Sequence, residues 1–177
     1  MTCPSIVRVA RPEDHQEVWR LFLQGHRENG QFNLAPEKVE FFLSRALYPE
    51  MIPEWDTGPR GAIGVIGDIG ALEALVFVTI GSYWYSHDRH LEEFLVFVDP
   101  ECRRSNHARS LVEWMKLQSD RTGLPLVTGI ISNERTEAKV RLYQRMLPKV
   151  GAFFLYGGKG SVQNPRITPG AFVIWAI

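Results

Sequence analysis

Cysteine is nearly missing: Cys3 and Cys102 are the two thiols in 177 residues. That excludes a disulfide framework and makes a reducing, cytoplasmic setting the expectation. Long apolar runs are missing too. The stretches 75–80 and 94–98 fall far short of the roughly 20 residues needed to cross a bilayer. The chain does not open on the basic-then-apolar pattern of a secretory signal. Nor does charge of either sign dominate. Twenty Lys and Arg balance twenty Asp and Glu. This argues against a disordered chain, and against a domain whose main affinity is for the nucleic-acid backbone. Glycines 61, 64, 67 and 70 recur at every third position, but without proline they make no collagen-like repeat. What is present, 45% hydrophobic and 23% charged residues at the length of one ordinary domain, reads as a single soluble domain over 1–177.

The balanced charge is unevenly spread. Residues 1–100 hold eight Lys/Arg against fifteen Asp/Glu, a net of −7, whereas 103–149 hold ten against four, a net of +6. The two halves read either as surface variation or as two sides of a site, one for a cation and one for an anion.

Hydrophobic spacing gives the order β α α β β β α β α β β. A strand over 5–10 is closed by Arg11-Pro12-Glu13-Asp14, a helix-start signal, and the helix ends at Gly25 or Gly30. A second helix begins near Pro36, with Val39, Phe42, Leu43, Ala46 and Leu47 on one face. Strands are expected over 62–66 and 72–80, joined by Gly67-Asp68-Ile69-Gly70, then over 91–98 and 124–131. Helices are expected over 104–120 and 134–146, and strands over 151–156 and 171–177 close the sheet. The class is α/β with a mixed sheet and βαβ crossovers at 91–131 and 124–156.

The most informative stretch is Val98-Asp99-Pro100-Glu101-Cys102-Arg103-Arg104-Ser105-Asn106-His107-Ala108-Arg109. A buried strand turns tightly into a helix through small and polar residues flanked by arginines. Backbone N–H groups at such a turn lack intrahelical partners and lie at the positive end of the helix dipole. Arg103, Arg104 and Arg109 add charge-assisted donors for phosphate. The competing reading is an ordinary strand–helix turn with solvated arginines.

This segment resembles the acetyl-CoA motif of the GNAT superfamily of N-acetyltransferases, Arg/Gln-x-x-Gly-x-Gly/Ala after a strand ending in Val-x-Pro. Arg103 fills the first position, Asn106 stands where the first glycine belongs, and Ala108 takes the last. The element order also resembles that family over essentially the whole chain, as does Arg8-Val9-Ala10-Arg11-Pro12-Glu13-Asp14 before an amphipathic helix; the nearest likeness is to GNAT proteins of phage and proteobacterial genomes. The resemblance implies about seven strands, mostly antiparallel, flanked by about four helices. It implies an acetyl-CoA-dependent N-acetyltransferase acting on a primary amine by direct attack in a ternary complex. Backbone groups of the strand Val96-Phe97-Val98 would pair with the pantetheine arm. The N–H groups of Arg104, Ser105, Asn106, His107, Ala108 and Arg109 would cradle the pyrophosphate. Asn106 departs from the glycine of the pattern, although asparagine tolerates left-handed geometry and has an amide to donate.

The family's general acid is a tyrosine late in the next helix, and Tyr143 fits. The asparagine usual seven residues earlier is replaced by Thr136, with Asn133 three residues before it. Gly151 follows eight residues after Tyr143 rather than within about four, with Pro148 between, so that helix end is remodelled. A glutamate six residues before the Val of Val-x-Pro serves as base in some members, which gives Glu92, with Glu93 next to it and His90 as a relay. Alternation places Glu92 on one strand face with His90, Phe94 and Val96. Tyr83-Trp84-Tyr85 precedes this base and reads as acceptor-pocket lining or strand packing.

No metal is expected: His87, His90 and Glu92 fall below the usual ligand count. Cys102 is unconvincing as a nucleophile, its arginine neighbours notwithstanding. The competing class is an accessory module that keeps the fold with CoA structural or lost. No membrane or nucleic-acid partner is expected, and exposed terminal strands suit a homodimer.

Overall fold

The computed structural model describes residues 6–130, 132 and 136–151. Five strands, β1 (Arg8–Val9), β2 (Gly61–Asp68), β3 (Ala71–Ser82), β4 (Arg89–Val98) and β5 (Leu126–Val127), form one sheet in sequence order. Pairing is antiparallel from β1 to β4 and parallel between β4 and β5. The four helices are α1 (His15–Asn29), α2 (Pro36–Leu47), α3 (His107–Thr122) and α4 (Thr136–Met146).

Short 3-10 turns over Pro12–Asp14 and Pro100–Cys102 lead toward α1 and α3. The β2–β3 hairpin turns at residues 67–70, where Gly67 and Gly70 take φ of 112° and 83°. Those values favour glycine because it has no Cβ to clash with the backbone.

The sheet is covered on both faces, so β3 is buried almost continuously from Leu72 to Thr79. On one face Val18 and Leu21 of α1 and Leu43 and Leu47 of α2 pack on Val65, Leu75, Phe77 and Phe97. On the other, Leu111, Val112, Trp114 and Met115 of α3 pack on Ala74, Val76 and Val78, with Tyr143 and Met146 of α4 at the margin. Trp114 lies against Gly64, where an added Cβ would meet its ring at 2.9 Å.

Asp14 has no exposed surface and fastens β1 to the entry of α1. Its carboxylate accepts from both terminal nitrogens of Arg8, at 2.6 and 2.7 Å, and from the Arg11 N–H at 2.8 Å. No described helix is long and apolar enough to cross a membrane.

Two sequence expectations need correction. Helix α3 starts at His107 rather than 104, because residues 103–106 are used by the turn. Strand β5 is two residues long rather than eight, since its pairing with β4 stops at Val127. The five described strands correspond to the first five of the about seven expected. The expected strand over 171–177, and that over 151–156 apart from Gly151, lie outside the described residues.

Candidate active site

β4 and β5 are paired through Leu91↔Leu126 and Glu92↔Val127 only, while β4 runs on to Val98. Beyond that point the far edge of β4 has no strand partner among the described residues. Asp99 N–H donates to Glu73 C=O across the β3–β4 ladder at 2.8 Å. By alternation the backbone groups of Phe97 also face β3, and those of Val96 and Val98 turn to the open edge. A cavity of about 480 Å³ opens there, within the range of small-molecule sites. Its walls are β4, residues 127–130, the end of α1 and one face of α4.

A β-bulge sets the face of the sheet on which each β4 side chain lies. Phe77 pairs with Leu95 and Val78 with Glu93, so Phe94 is the extra residue. Phe94 packs on Phe42 and Phe77 toward α2, whereas Val96 joins the α3-side cluster. The expectation that Glu92 shares a face with Val96 is therefore wrong. Glu92 keeps His90 and Phe94 as neighbours on its face, and an added Cβ on Gly81 would meet both Glu92 and His90. Glu93 points to α4.

There Tyr143 Oη donates to Glu93 Oε2 at 2.9 Å, and Thr128 Oγ1 donates to the same oxygen. Burial pushes the Glu93 carboxyl above the usual carboxylate range, opposed by these two hydrogen bonds and by the charge of Lys139. Burial, then the Glu93 carboxylate, pushes the Tyr143 phenol well above its ordinary value, so it remains a neutral donor. Both groups line the cavity.

Lys139 is not singled out by the motif. It sits one helical turn before Tyr143, a spacing that places both on one face and was legible in principle. Its Nζ donates to Ser132 Oγ at 2.6 Å and to Asn29 Oδ1 at 3.1 Å, which joins α4 to the end of α1.

The turn into α3 is organised differently from the expectation. Arg103 does not stand free for an anion. Its Nη2 pairs with Glu28 of α1 at 2.5 and 2.7 Å, its Nε donates to Val98 C=O at 3.2 Å, and its guanidinium lies over Phe97. Arg103 thus closes one end of the cleft.

Arg104 is exposed, and Arg109 pairs on the surface with Glu113 at 3.0 Å. Asn106 caps α3 with φ of −90°, an ordinary conformation, so no left-handed backbone is required at the position of the missing glycine. The first i→i−4 bond of α3 runs from Ser110 N–H to Asn106 C=O, so the N–H groups of Ala108 and Arg109 precede the ladder. Two expected cradle donors are used locally: Ser105 N–H bonds Cys102 C=O, and His107 N–H bonds Ser105 Oγ. The buried His107 side chain turns away to Glu73.

Asn133 lies outside the described residues. The Cys102 thiol is pushed up by burial and by Glu73, Asp99 and Glu101, rather than lowered by the arginines beside it in sequence. Tyr83 is partly exposed and stacks on His90, at 4.8 Å between centroids, and on Tyr85.

No family model and no curated protein sequence matches the chain. Solved structures do. A ribosomal-protein-alanine N-acetyltransferase from Brucella melitensis biovar Abortus 2308 superposes with TM-score 0.56 at 12% identity, covering 86% of this chain and 99% of that one. AAC(6')-Iy, solved in complex with the bisubstrate analogue CoA-S-monomethyl-acetylneamine, gives 0.59 at 13% identity over 87% and 97%. A transcriptional regulator from Bacillus halodurans C-125 gives 0.60 at 18% identity over 86% and 98%. Together with the mixed sheet, the four helices and the parting of β4 from β5, these likenesses show that the chain has the fold of the GNAT acetyltransferases.

Proposed function

We propose that the protein is an acetyl-CoA-dependent N-acyltransferase that moves an acetyl group to a primary amine by direct attack in a ternary complex. The observation that carries this reading is the buried Glu93–Tyr143 pair at the wall of a cleft whose other wall is the β4 edge that has no strand partner among the described residues. The residues fit such a substrate. Val96 and Val98 offer backbone groups to a pantetheine amide arm as a neighbouring strand would. The open end of α3, with Arg104 and Arg109 beside it, suits a pyrophosphate.

The bound thioester supplies the activated acyl group. Glu93, as carboxylate, takes a proton from the attacking amine; its raised pKa brings it closer to neutrality, where a general base is most effective. Tyr143, held neutral, gives its Oη proton to the departing sulfur and regains one from Glu93 across the 2.9 Å contact. One proton leaves nitrogen and one reaches sulfur, and the pair returns to its starting state. Glu92 lines the same cavity from the opposite strand face and is the second candidate for the base. The acidic N-terminal half favours a cationic acceptor.

The test is calorimetric titration of acetyl-CoA into the wild type and an Arg104→Ala, Arg109→Ala double variant, followed by thiol release over a panel of amines. Micromolar binding that is lost in the double variant, with amine-dependent thiol release, supports the proposal. A folded wild type that binds no acetyl-CoA refutes it.

A further inference from the structure

A second cluster of reactive side chains lies outside the cleft. Glu73 of β3, Cys102 of the 3-10 turn and His107 at the start of α3 each bring a ligating atom within 4.8 Å of the others. His107 Nε2 is 2.5 Å from Glu73 Oε2. The His107 side chain is 10% exposed, Cys102 is half-buried, and the Glu73 side chain is 46% exposed, so the three atoms converge with Glu73 open to solvent. None of the three lines the cleft. Among the described residues no such convergence joins His87, His90 and Glu92, the set weighed from the sequence.

We propose that Glu73, Cys102 and His107 form a binding site for a divalent zinc ion, with water as the fourth ligand. Nitrogen, sulfur and oxygen donors of these types are the usual zinc ligands. Tetrahedral ligation at about 2.0 Å from both His and Glu places their atoms ~3.3 Å apart, so the His107–Glu73 pair needs to open by less than an ångström. On binding, the thiol proton leaves to solvent and the sulfur ligates as thiolate. Cys102 and His107 bracket residues 103–106, so the ion would tie both ends of the turn to β3. The three ligands stand outside the cleft lining, so metal binding is read whether or not the acyl-transfer reading holds.

The experiment uses the chelator-treated full chain. Cobalt(II) is titrated first and followed by thiolate-to-cobalt charge-transfer absorption in the near ultraviolet, and zinc is then titrated by calorimetry. Expected are one equivalent of cobalt, displacement by zinc, loss of the sulfur band in Cys102→Ser, and at least about tenfold weaker binding in Glu73→Gln. Cys3 is the other thiol in the chain, so the Cys102→Ser result assigns the band. Circular dichroism of each variant checks that it is folded. A wild type with no sulfur band, or ion binding unchanged in both variants, overturns the proposal. An ion pair with a neighbouring thiol and no metal affinity gives the first of those results.

Discussion

Replacing Asp14 with asparagine tests the physical account of how β1 is held to α1. Asp14 has no exposed surface, and it accepts two bonds from Arg8 and one from the Arg11 N–H. An amide is uncharged, and its NH₂ group opposes one of those donors. Breaking a fully buried ion pair costs about 3–5 kcal/mol, but the Arg8 side chain is 28% exposed and finds water, which lowers the figure to about 2–3 kcal/mol. For a chain of this size that corresponds to a fall in Tm of roughly 5–10 °C.

The pH dependence is sharper still. Arg8, through its hydrogen bonds, holds the Asp14 carboxyl below the usual range. A depressed folded-state pKa contributes stability that is fully present above the unfolded value of about 3.9 and is lost as pH falls through the folded value. The Asp14→Asn variant has no titrating group at this position. Urea unfolding of both proteins, followed by circular dichroism from pH 7 downward, should show a constant gap to about pH 5 that narrows below about pH 4. A gap under about 0.5 kcal/mol at pH 7, or one that stays constant into acid, would refute the reasoning.

The remaining predictions concern the cleft and the sheet. Glu93→Gln should lower kcat by about 10²-fold or more with the fold intact, measured by steady-state thiol release. The same variant should match or exceed the wild type in Tm at neutral pH. A buried carboxyl with a raised pKa destabilises the folded state as pH rises from the ordinary carboxylate range through its folded value. Tyr143→Phe should retain acetyl-CoA binding in calorimetry while thiol release falls, because the lost hydroxyl serves proton transfer rather than the cradle. Gly64→Ala should destabilise by about 1–3 kcal/mol in urea unfolding, since the new methyl group meets the Trp114 ring.

The elements with strong periodicity were legible in the sequence. Helix α2 starts at Pro36 and buries Leu43, Ala46 and Leu47, as the spacing requires, and β4 ends where Asp99-Pro100 breaks it. Tyr143 was legible from its place in the motif, and the structure puts its hydroxyl on a cleft carboxylate. Which carboxylate was not legible. Strict alternation puts Glu92 with Val96, but the bulge at Phe94 shifts the strand by one residue, and nothing local in Glu-Glu-Phe-Leu-Val marks it. The role of Arg103 was hidden because its partner, Glu28, lies 75 residues earlier. Likewise Glu73 and His107 meet across 34 residues, a separation that only the tertiary fold closes.

The bulge makes Phe94 a residue that the ladder does not count. On either side of it the pairs Glu93↔Val78 and Leu95↔Phe77 are already consecutive on β3. Removing Phe94 would therefore leave Glu93 facing Tyr143 and Val96 facing α3, so the direction of the carboxylate does not depend on the irregularity once the chain is counted without it. The strand's course does depend on it. A bulge bends its strand and increases the local twist, and this one lies two residues past Glu92, the last β4 residue paired with β5. A strand without Phe94 would keep the acid–base pair and lose the bend, whereas regular pairing of the full sequence would turn Glu93 away from Tyr143. The one extra residue thus separates two tasks of the strand, aiming its side chains and steering its edge.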